Sequence, residues 1–281
     1  MQPFSEYKSL DRSFWAHVKL VSERLRYSDR KTNQLRRYST QDVEGCLQEA
    51  GLSPAHLYDP LPGQTAPLAD TLVGYLNRRA ETLEEVVQPV LMDRDQAAAE
   101  FRALRKRLKP KCALPMNKQK GKKRHHAYLV GIVNMLTEHA LEGRPFDDEP
   151  RGLTLITKNG RPIRMLSRWM DGAYPSRVNP YAVWEVKEYY GTTTFGSRVA
   201  DGVYETMLDG EELAELQARE NIKVYHYLMV DDRFTWWDCG RSYLCRIIDM
   251  LHIGLVDEAL FGREVLARWP TVVKTWPKDF S

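Results

Sequence analysis

Between Phe101 and Thr137 the chain has no acidic residue, and from Arg102 to Ala127 it has no aromatic ring of the Phe, Trp or Tyr type. Eleven cations fill the same window: Arg102, Arg105, Lys106, Arg107, Lys109, Lys111, Lys118, Lys120, Lys122, Lys123 and Arg124. The rest of the protein has 30 basic against 38 acidic residues, a balance of −8, so the overall formal charge of +3 comes from one segment. Such a segment suits a polyphosphate, because each neutralised phosphate releases condensed counterions. The missing aromatics favour duplex over single strands, which are gripped largely by base stacking.

Other absences narrow the class. No run approaches the roughly 18 apolar residues that cross a bilayer, and no apolar core follows the N-terminus as in a secretory leader, so a cytoplasmic protein with no membrane partner is expected. The four cysteines (Cys46, Cys112, Cys239, Cys245) form no Cys-x-x-Cys pair, which argues against structural zinc or a disulfide framework. There is no HExxH, no phosphate-cradling Walker loop and no GxGxxG, so kinase, ATPase and dehydrogenase chemistry is poorly supported.

What is present falls into three parts. Residues 1–108 read as a mostly helical N-terminal region for DNA binding or dimerisation: 11–27, a helix opening near Thr40 and closing at Gly51, then one or two helices from Leu72 to about Arg107. Residues 109–124 read as a basic linker or loop. Residues 125–281 read as an α/β (α+β) domain. Here the pattern predicts a helix over His125–Leu141, a strand over 153–157, and an Asn159-Gly160 hairpin turn. A return strand over 163–170 ends at Asp171, and a third strand covers 182–190. A helix over Phe195–Ala218, a strand over 223–230 extended or paired by DDRFTWWD, and a helix over Leu244–Leu260 follow.

The segment DGAYPSRVNPYAVWEVK (171–187) carries the chemistry. Side chains alternate along a strand, so Glu185 and Lys187 share a face. The flanking Ala182, Val183, Trp184 and Val186 mark the strand as buried, where charges are costly unless paired or metal-bound. Two carboxylates, Asp171 and Glu185, beside the Lys187 ammonium would make a site for a hard divalent cation next to a phosphate. The plainer readings are a turn for Asp171-Gly172 and a surface ion pair for Glu185 and Lys187. Trp184, Tyr189, Tyr190, Trp236 and Trp237 read as packing rather than base-stacking platforms, and His125 and His126 as phosphate contacts or cap residues rather than zinc ligands.

With an α-β-β-β-α-β order, an acid ending the second strand and Glu-x-Lys in the third, residues 125–260 resemble the PD-(D/E)XK nuclease superfamily, which includes type II restriction endonucleases and phage-defence nucleases. The residue before Asp171 is Met170, where the motif has Pro. The resemblance implies a restriction-endonuclease-like core with a mixed central sheet flanked by helices. It implies catalytic Asp171, Glu185 and Lys187. Asp171 and Glu185, with the Val186 carbonyl, would hold one or two Mg²⁺ ions, replaceable by Mn²⁺. Lys118, Lys120, Lys122, Lys123 and Arg124 are expected to track the phosphate backbone. Ser197 and Arg198 would approach the scissile phosphate. Glu138, a possible extra acid, falls opposite the apolar stripe of its helix. The expected activity is Mg²⁺-dependent cleavage of double-stranded DNA by a homodimer, of restriction or antiviral defence type, with a separate methyltransferase or defence-system partner. The alternative is a nucleic-acid-binding protein on the same fold, non-catalytic or directed at RNA or branched DNA.

Overall fold

In the computed structural model, residues 1–278 are described apart from 9, 30, 33, 120, 121 and 191–195. Helices α1 (Arg12–Leu25), α2 (Thr40–Glu49) and α3 (Leu68–Thr82) pack around Phe14, Val18, Leu47, Leu72 and Leu76. Asp11 caps α1 through the Ser13 and Phe14 amides, and Ser39 closes a reciprocal capping box with Asp42 on α2.

Helix α4 (Arg94–Leu108), grouped with the N-terminal region on composition, packs instead in the core of the following part. Its Ala97, Phe101 and Leu104 meet Leu129, Ile132 and Leu136 of α5 (Tyr128–Leu141). Within the expected linker stands a hairpin, β1 (Met116–Gln119) and β2 (Lys122–His126), in a register pairing Met116 with His126. A second hairpin, β3 (Leu155–Lys158) and β4 (Arg161–Met165), turns at Asn159 and Gly160, both with positive φ as a tight primed turn needs.

The central sheet has four strands in the order β5 (Gly172–Tyr174), β6 (Ala182–Lys187), β7 (Tyr225–Val230), β8 (Glu258–Phe261). β5 runs antiparallel to β6, and β6, β7 and β8 are parallel. One face carries Trp184, Val186, Tyr227 and Met229 against α5 and α8 (Glu264–Lys274). On the other, Val183 meets Leu213 and Leu216 of α6 (Ser197–Glu220), and Leu228, Val230 and Ala259 meet Ile247, Ile248 and Leu251 of α7 (Arg241–Ile253). A sheet covered on both faces explains why β6 is buried along its whole length.

Four local expectations need correction. The return strand stops at Met165, because the Leu166 amide turns to the Thr154 carbonyl and the Ser167 amide and hydroxyl are captured by Glu212 of α6. Asp171 therefore stands immediately before β5 rather than ending β4. DDRFTWWD forms helical turns over Arg233–Cys239, because Asp232 accepts from the Thr235 amide and hydroxyl as an N-cap does. The last expected helix breaks at Gly254 (φ 92°), and its tail becomes strand β8. Helix α8 was not anticipated.

Gly172 is fixed by packing. It pairs across the ladder with Trp184, and a Cβ there would lie 2.0 Å from the indole. The indole is in turn held by Phe146, Trp269 and Trp276. Gly172→Ala is expected to cost about 1–3 kcal/mol by overpacking, read as a lower urea midpoint. An unchanged midpoint would show that Trp184 is free to yield.

Candidate active site

The register that pairs Gly172 with Trp184 brings Asp171 beside Glu185. The Asp171 amide donates to the Trp184 carbonyl (3.1 Å), and its Oδ2 accepts from the Val186 amide (2.7 Å). Asp171 is half-buried. Burial, then the Glu185 charge, pushes its carboxyl up to about 7, against the pull of the Val186 amide, Lys187 and Arg168.

Glu185 and Lys187 point together toward α6, as alternation requires, and Lys187 Nζ sits 2.6 Å from Glu185 Oε2. Both side chains are buried. Gly202 on α6 leaves room for the Tyr189 hydroxyl, 2.6 Å from where a Cβ would lie, while the Lys187 stem, at 3.5 Å, would be in ordinary contact with it. One and two turns further along that stripe stand Glu205 and Asp209. Glu205 Oε2 lies 3.3 Å from Lys187 Nζ.

Arg168, from the β4–β5 connection, bridges this group. Its Nη1 lies 2.7 Å from Asp209 Oδ2 and 2.9 Å from Glu185 Oε1, and its Nη2 lies 3.0 Å from Glu205 Oε2. Burial disfavours the guanidinium charge, but Glu185 and Asp209 more than offset it and hold its pKa up. Burial and the Glu185 charge raise Asp209 to about 7, despite Arg168. Although close to Arg168, Glu185 Oε1 lacks hydrogen-bond geometry, and it and Asp209 Oδ1 are buried acceptors with no hydrogen-bond partner.

Glu188, the residue after Lys187, completes the end of β6. Its oxygens accept from the Tyr128, Leu129 and Val130 amides at 2.8, 2.8 and 3.2 Å, capping the N-terminus of α5. Burial still raises its carboxyl to about 7.

Four acids (Asp171, Glu185, Glu205, Asp209) thus face two cations (Arg168, Lys187), leaving an excess of negative charge. Among the described residues, no three His, Cys, Asp or Glu side chains are gathered as a ready-made metal site. The donors are all oxygens, as a hard cation prefers, and the two unpartnered oxygens and the raised carboxyls are features that a cation would relieve. Asp171 and Glu185 suit Mg²⁺ provided that Arg168 withdraws from Glu185. Asp171 also lines an open cavity of about 440 Å³ with Ala127, Val130, Trp169 and Met170, whereas Glu185 and Lys187 do not line it.

Of the remaining expected residues, Arg198 is exposed on the first turn of α6, its carbonyl accepting from the Tyr189 hydroxyl at 3.0 Å, and Ser197 is exposed beside it. Lys118, Lys122, Lys123 and Arg124 belong to the β1–β2 hairpin, and Lys120 lies outside the described residues. Glu138 holds the Lys111 amide (3.0 and 3.1 Å), at the far end of α5 from the Glu188-capped turn. Trp184, Tyr190, Trp236 and Trp237 are buried as packing residues. The sequence reading missed Arg168, Glu188, Glu205 and Asp209. The i, i+4 acids aligned with Gly202 were a usable signal for the last two; nothing in the sequence marks Arg168.

No curated protein and no solved structure is detectably similar to the chain. Residues 1–86 match a domain of unknown function, DUF7690, and the junction at 86–92 falls just before α4, in keeping with the packing of that helix. Residues 92–276, more than half of the chain and including every group of this site, match a second domain of unknown function, and the chain belongs to that family, DUF7687.

Proposed function

We propose that the chain is a Mg²⁺-dependent endonuclease hydrolysing phosphodiester bonds in double-stranded DNA, on a restriction-endonuclease-like core and of restriction or antiviral defence type. The observation that carries this reading is the meeting of Asp171, Glu185 and Lys187 where β5 and the carboxyl end of β6 adjoin, under α6. In open α/β sheets, the carboxyl ends of parallel strands are where ligands bind. The basic surface supports it too. Arg102, Arg105 and Lys106 of α4 line a cavity of about 540 Å³ with Phe101, His126 and Tyr128. The Tyr128 amide is bonded to Glu188, one residue beyond Lys187, so the cationic surface adjoins the carboxylates.

In this mechanism Asp171 and Glu185 would hold the metal, which would supply an activated water and neutralise charge developing on the phosphorus. Lys187 orients the attacking water and stabilises the non-bridging oxygens. Arg168, released from Glu185, turns its fork toward the phosphate. A double-strand cut needs two such sites, hence a homodimer. A methyltransferase or defence-system partner would be a separate chain, and Mn²⁺ would substitute for Mg²⁺.

Plasmid cleavage with Mg²⁺, with EDTA, and with Asp171→Ala, Glu185→Ala and Lys187→Ala proteins tests this. Each variant is expected to lose at least about a hundredfold in rate. Cleavage that survives EDTA, or survives loss of both carboxylates, would overturn the assignment. One observation favours the second reading, a nucleic-acid-binding protein without catalysis: Arg168 already neutralises Glu185 and Asp209. Salt-dependent DNA binding with no cutting would support it, and cutting confined to RNA or branched DNA would redirect the substrate.

A further inference from the structure

A third cavity, of about 510 Å³, opens on the other side of α6, where the part matching DUF7690 meets the part matching DUF7687. Pockets for small molecules favour such junctions, and this volume lies within their usual range of about 300–1,000 Å³. Its walls are Leu20 from α1, Val203 and Met207 from α6, and Met250 and Ile253 from α7.

Set into this apolar wall is Arg246. Its guanidinium lies 5.5 Å from the Tyr27 ring, 5.8 Å from Tyr204 and 4.9 Å from Tyr243. Among the described residues no carboxylate comes within ion-pair distance of it. Asp249, the nearest acid of the cavity on the same helix, is taken by Arg79 at 2.8 Å and by the Tyr75 hydroxyl at 2.6 Å. A half-buried cation without a counter-charge is costly in an apolar setting. The guanidinium donates one hydrogen bond to the Tyr27 hydroxyl, and its remaining N–H donors, which lie in its own plane, match a phosphate or carboxylate. Lys19, exposed on the α1 side, adds a second positive charge against Glu23. Tyr204, 48% exposed, offers a flat surface on which a planar ring can stack, whereas the Tyr27 ring already carries the Arg79 guanidinium at 5.0 Å as well as that of Arg246.

We infer that this cavity binds a mononucleotide, its phosphate on Arg246 and Lys19 and its base against Tyr204. The site is separate from the carboxylate cluster, and the inference does not depend on the nuclease reading. α6 connects them: Gly202, Glu205 and Asp209 face the cluster, while Val203, Tyr204 and Met207 face the cavity.

The test is calorimetric titration of the full chain with AMP, GMP, CMP and UMP, with adenosine and inorganic phosphate as separate arms. At least one mononucleotide is expected to bind with Kd below about 1 mM, and both adenosine and phosphate at least about tenfold more weakly. Arg246→Gln should weaken the mononucleotide by about tenfold or more, the usual worth of a charge-assisted contact. Tyr204→Ala, a change at a half-exposed position that folding tolerates, should weaken it about three- to tenfold. The inference is overturned if none of the four nucleotides binds at 5 mM, or if both variants bind as the parent does. It is also overturned if phosphate alone binds as tightly as the nucleotides, which would mean a bare anion site.

Discussion

Asp249→Ala is expected to destabilise the protein by about 3–5 kcal/mol, because it strips the counter-charge from a buried guanidinium. Arg79 of α3 is 2% exposed, and its Nη1 reaches both Asp249 oxygens, at 2.9 and 2.8 Å. Its Nη2 reaches Ser22 of α1 at 3.1 Å, and Tyr75 donates to Asp249 at 2.6 Å. α1 and α3 lie in the stretch matching DUF7690 and α7 in that matching DUF7687, so this network is a polar bolt between the two. Burial works against the Arg79 charge, yet Asp249 raises its pKa further still. The double variant Arg79→Met with Asp249→Leu should lose less than Asp249→Ala alone, because it leaves no unpaired charge. Urea unfolding of the single and double variants gives the coupling directly. A double variant as unstable as the sum of the singles would show that charge pairing is not what the network provides.

Stability of the metal-free protein is expected to fall by several kcal/mol between pH 5.5 and pH 8.5. The folded carboxyls of Asp171, Asp209 and Glu188 sit near 7, above ordinary values of 3.8, 3.8 and 4.5. Up to about pH 7 the folded state keeps protons that the unfolded chain has released. Their stabilising contribution is therefore complete below about pH 4 and is lost as pH rises through about 7. One such group shifted by about three units corresponds to about 4 kcal/mol over its whole range, about 2 kcal/mol of it above pH 5.5, and the three do not add because they share the Glu185 field and one another's. Asp11, Asp29 and Asp42 are shifted the opposite way, with their losses below pH 4 and outside the window, while the buried His226 and His252, lowered by burial from 6.5, gain stability as pH rises to about 6.5 and offset part of the fall. Urea midpoints at the two pH values check the sign, and stability that rises toward pH 8.5 would refute it. Asp171→Asn together with Asp209→Asn should flatten the profile. If the carboxylates hold Mg²⁺, the ion should recover stability at pH 8.5 and do little at pH 5.5, where protons occupy its ligands.

Several elements were legible because their signals are local. Alternation put Glu185 and Lys187 on one face of a buried strand, Asn159-Gly160 marked the β3–β4 turn, and the 3.6-residue stripes marked α1, α2, α5 and α6. The strand expected over 163–170 failed because the Ser167 amide found a partner, Glu212, 45 residues away, which no window of neighbours contains. β8 was hidden in an apolar run that serves a helix or a buried strand equally well; its parallel pairing with β7 decided the matter.

By itself, then, the sequence determined which residues could carry charge into the core and on which face of their strand they would emerge, since backbone periodicity fixes that wherever the strand lies. Only the tertiary structure decided what those charges meet. Arg168 comes from a connection and Glu205 and Asp209 from the next helix, and nothing in the spacing of 168, 185, 205 and 209 predicts that they converge. Their meeting depends on α6 crossing the sheet at Gly202, which is small enough to admit the Tyr189 hydroxyl beside the Lys187 stem. The same packing left Arg246 ringed by tyrosines without a counter-charge, because Asp249, three residues along α7, had already been claimed by Arg79 from across the interface.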